Sequence, residues 1–359
     1  MKGDRSAVCG GTWARFWSGP AKLLALLPMA PMALMAGMFS MGVYAQQPAG
    51  SATHSPGNQA GNVNWPLERV RIMVGFAPGG IADTVARLVA QKMAERLSQP
   101  VLVENRGGAG GSLAARAVAS ASDGHTILAI TTAIAINATL QKDAGYDPLR
   151  DFVTVSIAAS TPELFAVPVV HPARNLRELV AQGKARGVSY SSAGVGSGSH
   201  LAAEYLLRSL AGSNAVHVPF QGGAPAITAA IGAQVDMVAT SMPPAVPHVR
   251  SGKLRALAVA SNRRVPALPE VPTVVEVGFA DFEAQSWVGF FMPVRTPREV
   301  VLKNNALIND ALRQPEVRER LAAIGFDVVG GSAEDNAEYL RREVARWSRI
   351  VQVTGASAN

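Results

Sequence analysis

The sequence predicts an α/β protein of two domains, built on parallel sheets with crossover helices. Short β-rich runs alternate with segments of helical period from Trp65 onward, which is the pattern of strands joined by crossover helices. Strand ends pass into helix starts through glycine-rich turns, as at Gly79-Gly80 and at Gly194 to Gly198. The alternation runs for about 290 residues, more than one sheet around one core usually holds.

The amino terminus is read apart from that body. Residues 1–22 carry Lys2, Arg5, Arg15 and Lys22 against Asp4, and an uncharged apolar stretch runs from Leu23 to Tyr44. This is the order of a secretory signal peptide, and Val43-Tyr44-Ala45 places small residues for cleavage after Ala45. A retained anchor is the competing reading, because the stretch is long enough to span a bilayer, although Pro28 and Pro31 weaken it. Residues 46–64 are rich in Gly, Ser, Asn, Gln and Pro, the composition of a flexible leader. Cleavage would remove Cys9, the one cysteine, so the mature chain would have no disulfide or thiol chemistry. It would also leave 29 basic against 25 acidic residues, a net +4 over 314 residues.

From Trp65 the elements follow in order. Arg71 to Phe76 is the first strand, and Ala82 to Leu97 sets Val85, Leu88, Val89, Met93 and Leu97 on one helical face. Val101 to Val103 is the second strand. Gly107 to Gly111 turns into a helix near 112–121, and Asp123-Gly124 turns into the strand Thr126 to Ile130. Further strands are expected at 164–170, 187–191, 215–219, 235–240, 254–260 and 287–292. The last helix opens on the Ser332/Asp335 capping pair, after which Leu340, Val344, Trp347 and Val351 recur at helical spacing.

Hydrophobic residues make up 48% and charged residues 16% of the chain, which excludes a disordered chain and a multispan membrane protein. The basic residues are scattered among five Tyr and five Trp, so neither a basic patch nor a stacking platform for nucleic acid is present; steeply salt-dependent binding would be the mark of that class. The segment Phe76 to Asp83 joins a strand to a helix through two glycines, whose amides and helix dipole suit a carboxylate or phosphate. A plain tight turn is the other reading. Tyr190 to His200 is a second such junction. Its spacing is not GxGxxG, and no acidic residue follows at a strand end, so a dinucleotide site is not indicated. There is no GxSxG elbow, P-loop or HExxH motif, and the histidines lack metal-ligand spacing. Ser197 or Ser199 beside His200 leaves a serine-type hydrolase as the alternative, with turnover of an activated ester as its signature; the plainer reading of His200 is a hydrogen-bonding residue at a helix start.

The ordered motifs FAPGGIAD from Phe76, VLVENRGGAGG from Val101, DGHTILAITTAIAIN from Asp123, YDPLRDF from Tyr146, SSAGVGSGSHLAAE from Ser191, VPFQGGAPA from Val218, GAQVDM from Gly232, LPEVPTVVEVG from Leu268 and FFMPVRTP from Phe290 resemble the Bug-type periplasmic receptors of the tripartite tricarboxylate transporter family. The resemblance covers Trp65 to about Trp347. It implies a two-lobed, Venus-flytrap (type II periplasmic binding) fold with no catalysis and no cofactor or metal. It implies capture of a small di- or tricarboxylate or acidic amino acid by an exported monomer, and delivery to the membrane subunits of the transporter. Lobe one is expected at 65–163 plus 290–359, and lobe two at 164–289. Ligand contacts would fall on Phe76, Ala77, Gly79, Gly80 and Asp83, with Thr131, Thr132 and Asn137 nearby. Gly194, Gly196, Ser197 and His200, with Phe220, Gly222, Gly223 and Asp236, would close from the other lobe. Phe76 and Phe220 stand where tyrosine is common in the family. No Lys or Arg falls in these segments, so Asp83 and Asp236 are expected to govern selectivity.

Overall fold

The computed structural model describes residues 64–280 and 282–356; the segments read from sequence as a signal peptide and cleavage site, and nearly all of the expected leader, lie outside the described residues. The elements run β1 (Val70–Val74), α1 (Ile81–Ala94), β2 (Val101–Asn105), α2 (Ser112–Ala119), β3 (Thr126–Thr131), α3 (Ala133–Leu140) and β4 (Phe152–Pro168). They continue with α4 (Leu176–Arg186), β5 (Val188–Ser192), α5 (Gly198–Glu204), β6 (Ala215–Pro219), α6 (Gly223–Ile231), β7 (Met237–Ser241), α7 (Met242–Arg250) and β8 (Leu254–Val259). The chain then forms β9 (Gln285–Pro293), α8 (Arg298–Arg313), α9 (Pro315–Ala323), β10 (Asp327–Val328) and α10 (Ala333–Thr354).

Strand β4 belongs to two sheets. Its first part pairs with β9 and β10, extending the order β2-β1-β3-β9-β4. From Glu163 it pairs with β7 and β8, and the second sheet continues through β5 to β6. Within each sheet the βα units are parallel, β2-β1-β3 in one and β7-β5-β6 in the other. Strands β4, β8, β9 and β10 run antiparallel to their neighbours. The expected parallel sheets are therefore mixed, because the strands that join the two halves return without crossover helices of their own. Residues 285–289, assigned from sequence to the second lobe, pair with β3 and β4 in the first sheet.

Both faces of each sheet are covered, as parallel βα units require. On one face of the first sheet, Val70, Ile72, Val74, Ile127 and Ala129 pack under α1 and α8. On the other, Leu128 and Ile130 pack with α2, α3 and α10. In the second sheet Phe165, Val167 and Tyr190 face α4 and α5, whereas Leu164, Ala166 and Val238 face α6 and α7. The alternation of β1 and β3 residues between two cores is the period-two signature of a strand buried on both sides.

The last helix forms where the sequence places it. Ser332 caps α10 by accepting from the Asp335 N–H, and Leu340, Trp347 and Val351 are buried. Glu343 on this helix is buried and accepts from the indole N–H groups of Trp287 on β9 (2.8 Å) and Trp347 (3.0 Å). Glu343→Leu strands both buried donors, so it should lower stability by about 2–4 kcal/mol. The midpoint of denaturant unfolding measures this; an unchanged midpoint would show that the two indoles find other acceptors.

Candidate functional site

The chain turns that follow β1, β3, β5, β6 and β7 gather at one place between the two sheets. There they line a small inner compartment of about 30 Å³, room for about two water-sized spheres. Phe76, Gly80, Ile81 and Ala82 enter from the β1–α1 turn, Thr131 from the end of β3, and Ser197, Gly198 and Ser199 from the start of α5. Ala193 after β5, Gly223 from α6, Thr240 and Ser241 from the end of β7, Pro244 and Ser286 complete it. A wider outer compartment of about 220 Å³ adjoins it, bounded by Phe76, Gly108 to Gly111, Ala193 to Val195 and Phe220.

Each turn is held by local chemistry. At β1–α1 the Asp83 carboxylate accepts from the Gly79 N–H (2.9 Å), Asn105 (2.9 Å) and Arg87 (3.0 Å). Burial pushes this carboxyl up, yet the hydrogen bonds from Arg87, Gly79 and Asn105 outweigh it and hold the pKa below the ordinary value. Asp83 thus fixes the turn with both oxygens engaged, and Arg87 is spent on Asp83. The left-handed φ belongs to Gly79 (+79°), while a Cβ at Gly80 would approach only the Ala77 carbonyl at 3.6 Å. At β5–α5, Ser197 accepts from the His200 N–H (3.2 Å) and donates to the Gly194 carbonyl (2.7 Å).

The two sides meet through backbone. The Ala77 N–H donates to the Gln221 carbonyl (2.9 Å), and a Cβ on Gly222 would sit 3.2 Å from Ala77. Gly196, with φ +79°, leaves no room at all: a Cβ there would fall 1.8 Å from Asn137 Oδ1. Asn137 in turn donates to the Gly110 carbonyl at 2.9 Å.

Most of the sequence-nominated residues come together. Phe76, Gly80, Thr131, Ser197 and Gly223 line the inner compartment, and Phe76, Gly194 and Phe220 the outer one. Ala77, Gly79, Asn137, Gly196 and Gly222 form the contact between the two sides. Thr132 lies just behind, its hydroxyl 3.5 Å from that of Ser286. Three nominees do not join them. Asp83 lines neither compartment, because both of its oxygens are held within the β1–α1 turn. Asp236 precedes β7, at the opposite end of that strand from Ser241. It accepts from the Ser189 N–H (2.8 Å) and hydroxyl (2.7 Å) and lies 3.6 Å from His171. His200 faces a different cavity, stacked on His217 with ring centroids 4.2 Å apart.

The hydrolase alternative fails on this geometry. His200 Nδ1 accepts the Gly196 N–H (3.3 Å), so neither Ser197 nor Ser199 has a base against its hydroxyl. Burial also pushes His200 down to about 3.

Sequence reasoning missed Glu163, Ser241 and Ser286. Glu163 is fully buried where β4 changes sheets, and its Oε1 accepts from Ser286 (2.5 Å) and Ser241 (3.5 Å). Burial pushes its carboxyl up to about 7, and the two serine hydrogen bonds offset only part of that rise. The only local signal was one charged residue, directly after Pro162, in an otherwise uncharged run.

Residues 85–356 match the family described as "Tripartite tricarboxylate transporter family receptor". The chain belongs to this family. Its architecture is similar to that of the periplasmic binding protein BugD (TM-score 0.78, 33% identity, covering 82% of this chain and 99% of that one). It is also similar to MatC from Rhodopseudomonas palustris with bound malate (TM-score 0.75, 35% identity, 80% and 100% covered). A third structure, a Rhodopseudomonas palustris protein with adipate, gives a TM-score of 0.79 at 31% identity, with 82% and 99% covered. The receptor thus has the two-lobed solute-binding fold, and it is a binding protein rather than an enzyme. Among the described residues, no helix is long and apolar enough to cross a membrane.

The Glu163 carboxyl makes stability depend on pH in a fixed direction. Its folded-state pKa lies above the ordinary 4.5, so its contribution is complete below about pH 4.5 and is lost as pH rises through about 7. Glu163→Gln cannot ionise, and its melting temperature should match the wild type near pH 4.5 and exceed it at pH 8. A difference that stays constant over this range would mean that Glu163 titrates like an exposed carboxyl.

Proposed function

We propose that this receptor captures a small organic acid, with a dicarboxylate as the leading class, between its two lobes in the periplasm and presents it to the membrane subunits of a tripartite transporter. One observation carries the reading. The first turns of α1, α6 and α7 converge on the inner compartment from both sheets, joined by the start of α5, and no Lys or Arg lines it. The starts of α1 and α6 offer unpaired N–H groups and partial positive charge, which suits a carboxylate without a countercharge, whereas α7, with Pro243 and Pro244 in its first turn, adds mainly the partial positive charge of its dipole. The malate and adipate bound by the two similar Rhodopseudomonas palustris proteins support the same ligand class.

In this reading one carboxylate seats among Gly80, Thr131, Ser197, Ser199 and Gly223, and the body of the ligand passes Phe76 toward the outer compartment. An inner volume near 30 Å³ takes a single carboxylate group, so entry of a whole acid requires the lobes to part and close again. The chain acts as a monomer after removal of residues 1–45. Lobe one comprises 65–163 with the segment from about 285 onward, and lobe two the stretch between, since β9 pairs with the first sheet.

A thermal-shift screen of mono-, di- and tricarboxylates and amino acids tests the ligand class. A ligand at 100 times its Kd should add about 2.7 kcal/mol of stability, and no shift from any carboxylate would refute the reading. Because the donors are neutral and enclosed, calorimetric affinity should change by less than about tenfold between low and physiological salt. A steeper loss would implicate an exposed cation such as Arg106. Gly196→Ala meets Asn137 in the closed form, so it should weaken binding at least tenfold while the protein remains folded.

A further inference from the structure

Ser241 and Ser286 line the inner compartment, and both hydroxyls donate to the same oxygen of Glu163. The other oxygen, Oε2, has no hydrogen-bond partner among the described residues, and Glu163 is fully buried among them. The backbone beneath the carboxyl is held on both sides: the Glu163 N–H donates to the Ala284 carbonyl and its own carbonyl accepts from the Ala260 N–H. The start of α5 closes over it: a Cβ on Gly198 would lie 2.8 Å from Oε1 and 2.6 Å from Ser286 Oγ.

The elements packed around this carboxyl contribute no countercharge. Ser286 comes from β9, Ser241 from the end of β7, Gly198 from α5, Ala260 from beyond β8, and Thr132 from just after β3 with its hydroxyl 3.5 Å from that of Ser286. None of these side chains is titratable in the ordinary range. Burial and the two serine hydrogen bonds are the groups' whole influence on it.

A hydroxyl carries one proton. While Glu163 is ionised, Ser286 and Ser241 spend theirs on it and present lone pairs to the compartment, which repel a carboxylate. Once Glu163 is protonated, it donates to a serine oxygen, and the freed serine proton can point into the compartment and meet a ligand oxygen. Two negative charges on either side of one dry serine layer would also oppose each other. We propose that Glu163 is a positioning residue that sets the hydrogen-bond direction of the compartment floor through Ser286 and Ser241, and that carboxylate capture takes up one proton from solvent at Glu163. The inference rests on the carboxylate reading above.

Calorimetry with malate and with adipate, in two buffers of different ionisation enthalpy at pH 8, counts the linked protons. The wild type should take up close to one proton per ligand bound, and its apparent Kd should rise by up to about tenfold per pH unit between pH 7 and 9, the limit for a one-proton linkage. Glu163→Gln, whose amide can always donate to a serine, should bind more tightly than the wild type at pH 8, with a flat pH profile and no linked proton. Glu163→Asp should restore a pH-dependent profile. Infrared difference spectra of the wild type with 13C-labelled ligand give a readout free of mutation: a carboxylic-acid C=O band should grow on ligand addition at pH 8. Binding without proton uptake, or equal uptake in Glu163→Gln, overturns the proposal and leaves the receptor reading standing. Absence of binding by both acids at every pH overturns the dicarboxylate reading, and the proposal with it.

Discussion

A β-strand has two edges, and β4 uses both of them twice. Its first part is hydrogen-bonded to β9 and β10, and its second part to β7 and β8. The handover occurs over Pro162 and Glu163, where Pro162 has no N–H to donate and Glu163 already pairs with Ser241 of the other sheet. One continuous backbone therefore fixes where the two halves of the molecule meet. Every βα turn that reaches the cleft is positioned relative to that crossing.

The cleft is built from dipoles rather than charges. Helix starts, hydroxyls and glycine amides line it, while the nearest acidic residue of the β1–α1 turn, Asp83, is consumed in holding the turn together with Asn105 and Arg87. Neutral donors hold an anion only when water is excluded and geometry is preset. This explains why so much of the local structure is committed to fixing turns, as with Ser197 capping α5 and Gly196 admitting Asn137. Against this background Glu163 stands out among the described residues as a buried carboxyl directly behind the serines of the cleft, joined to them by hydrogen bonds.

Local geometry made much of the molecule legible. Positive φ at Gly79, Gly194, Gly196 and Gly222 is a demand that almost only glycine meets, so the strand–turn–helix junctions announce themselves in sequence. The β1, β3 and α10 patterns were readable for the same reason, since burial period is written within a few consecutive residues. The antiparallel role of β4 was not readable: residues 153–157 alternate as a strand does, but Ser160, Thr161 and Pro162 interrupt the pattern before the apolar run from Leu164, so nothing marks one continuous strand or names its partners. Asp236 matched a family motif yet lies at the far end of β7, because a motif match carries no information about which end of a strand faces the ligand.

Glycine conformation, helix capping and residue charge are properties of neighbours along the chain, so the α/β class, the glycine turns that line the cleft and their lack of cationic side chains were legible from the sequence. Only the tertiary structure decided that Glu163, Ser241 and Ser286 share one buried point, and that His200 turns away to stack on His217. Glu163 and Ser286 lie 123 positions apart. No local preference links them, and their contact exists only because β4 and β9 are paired in a register set by the packing of both sheets.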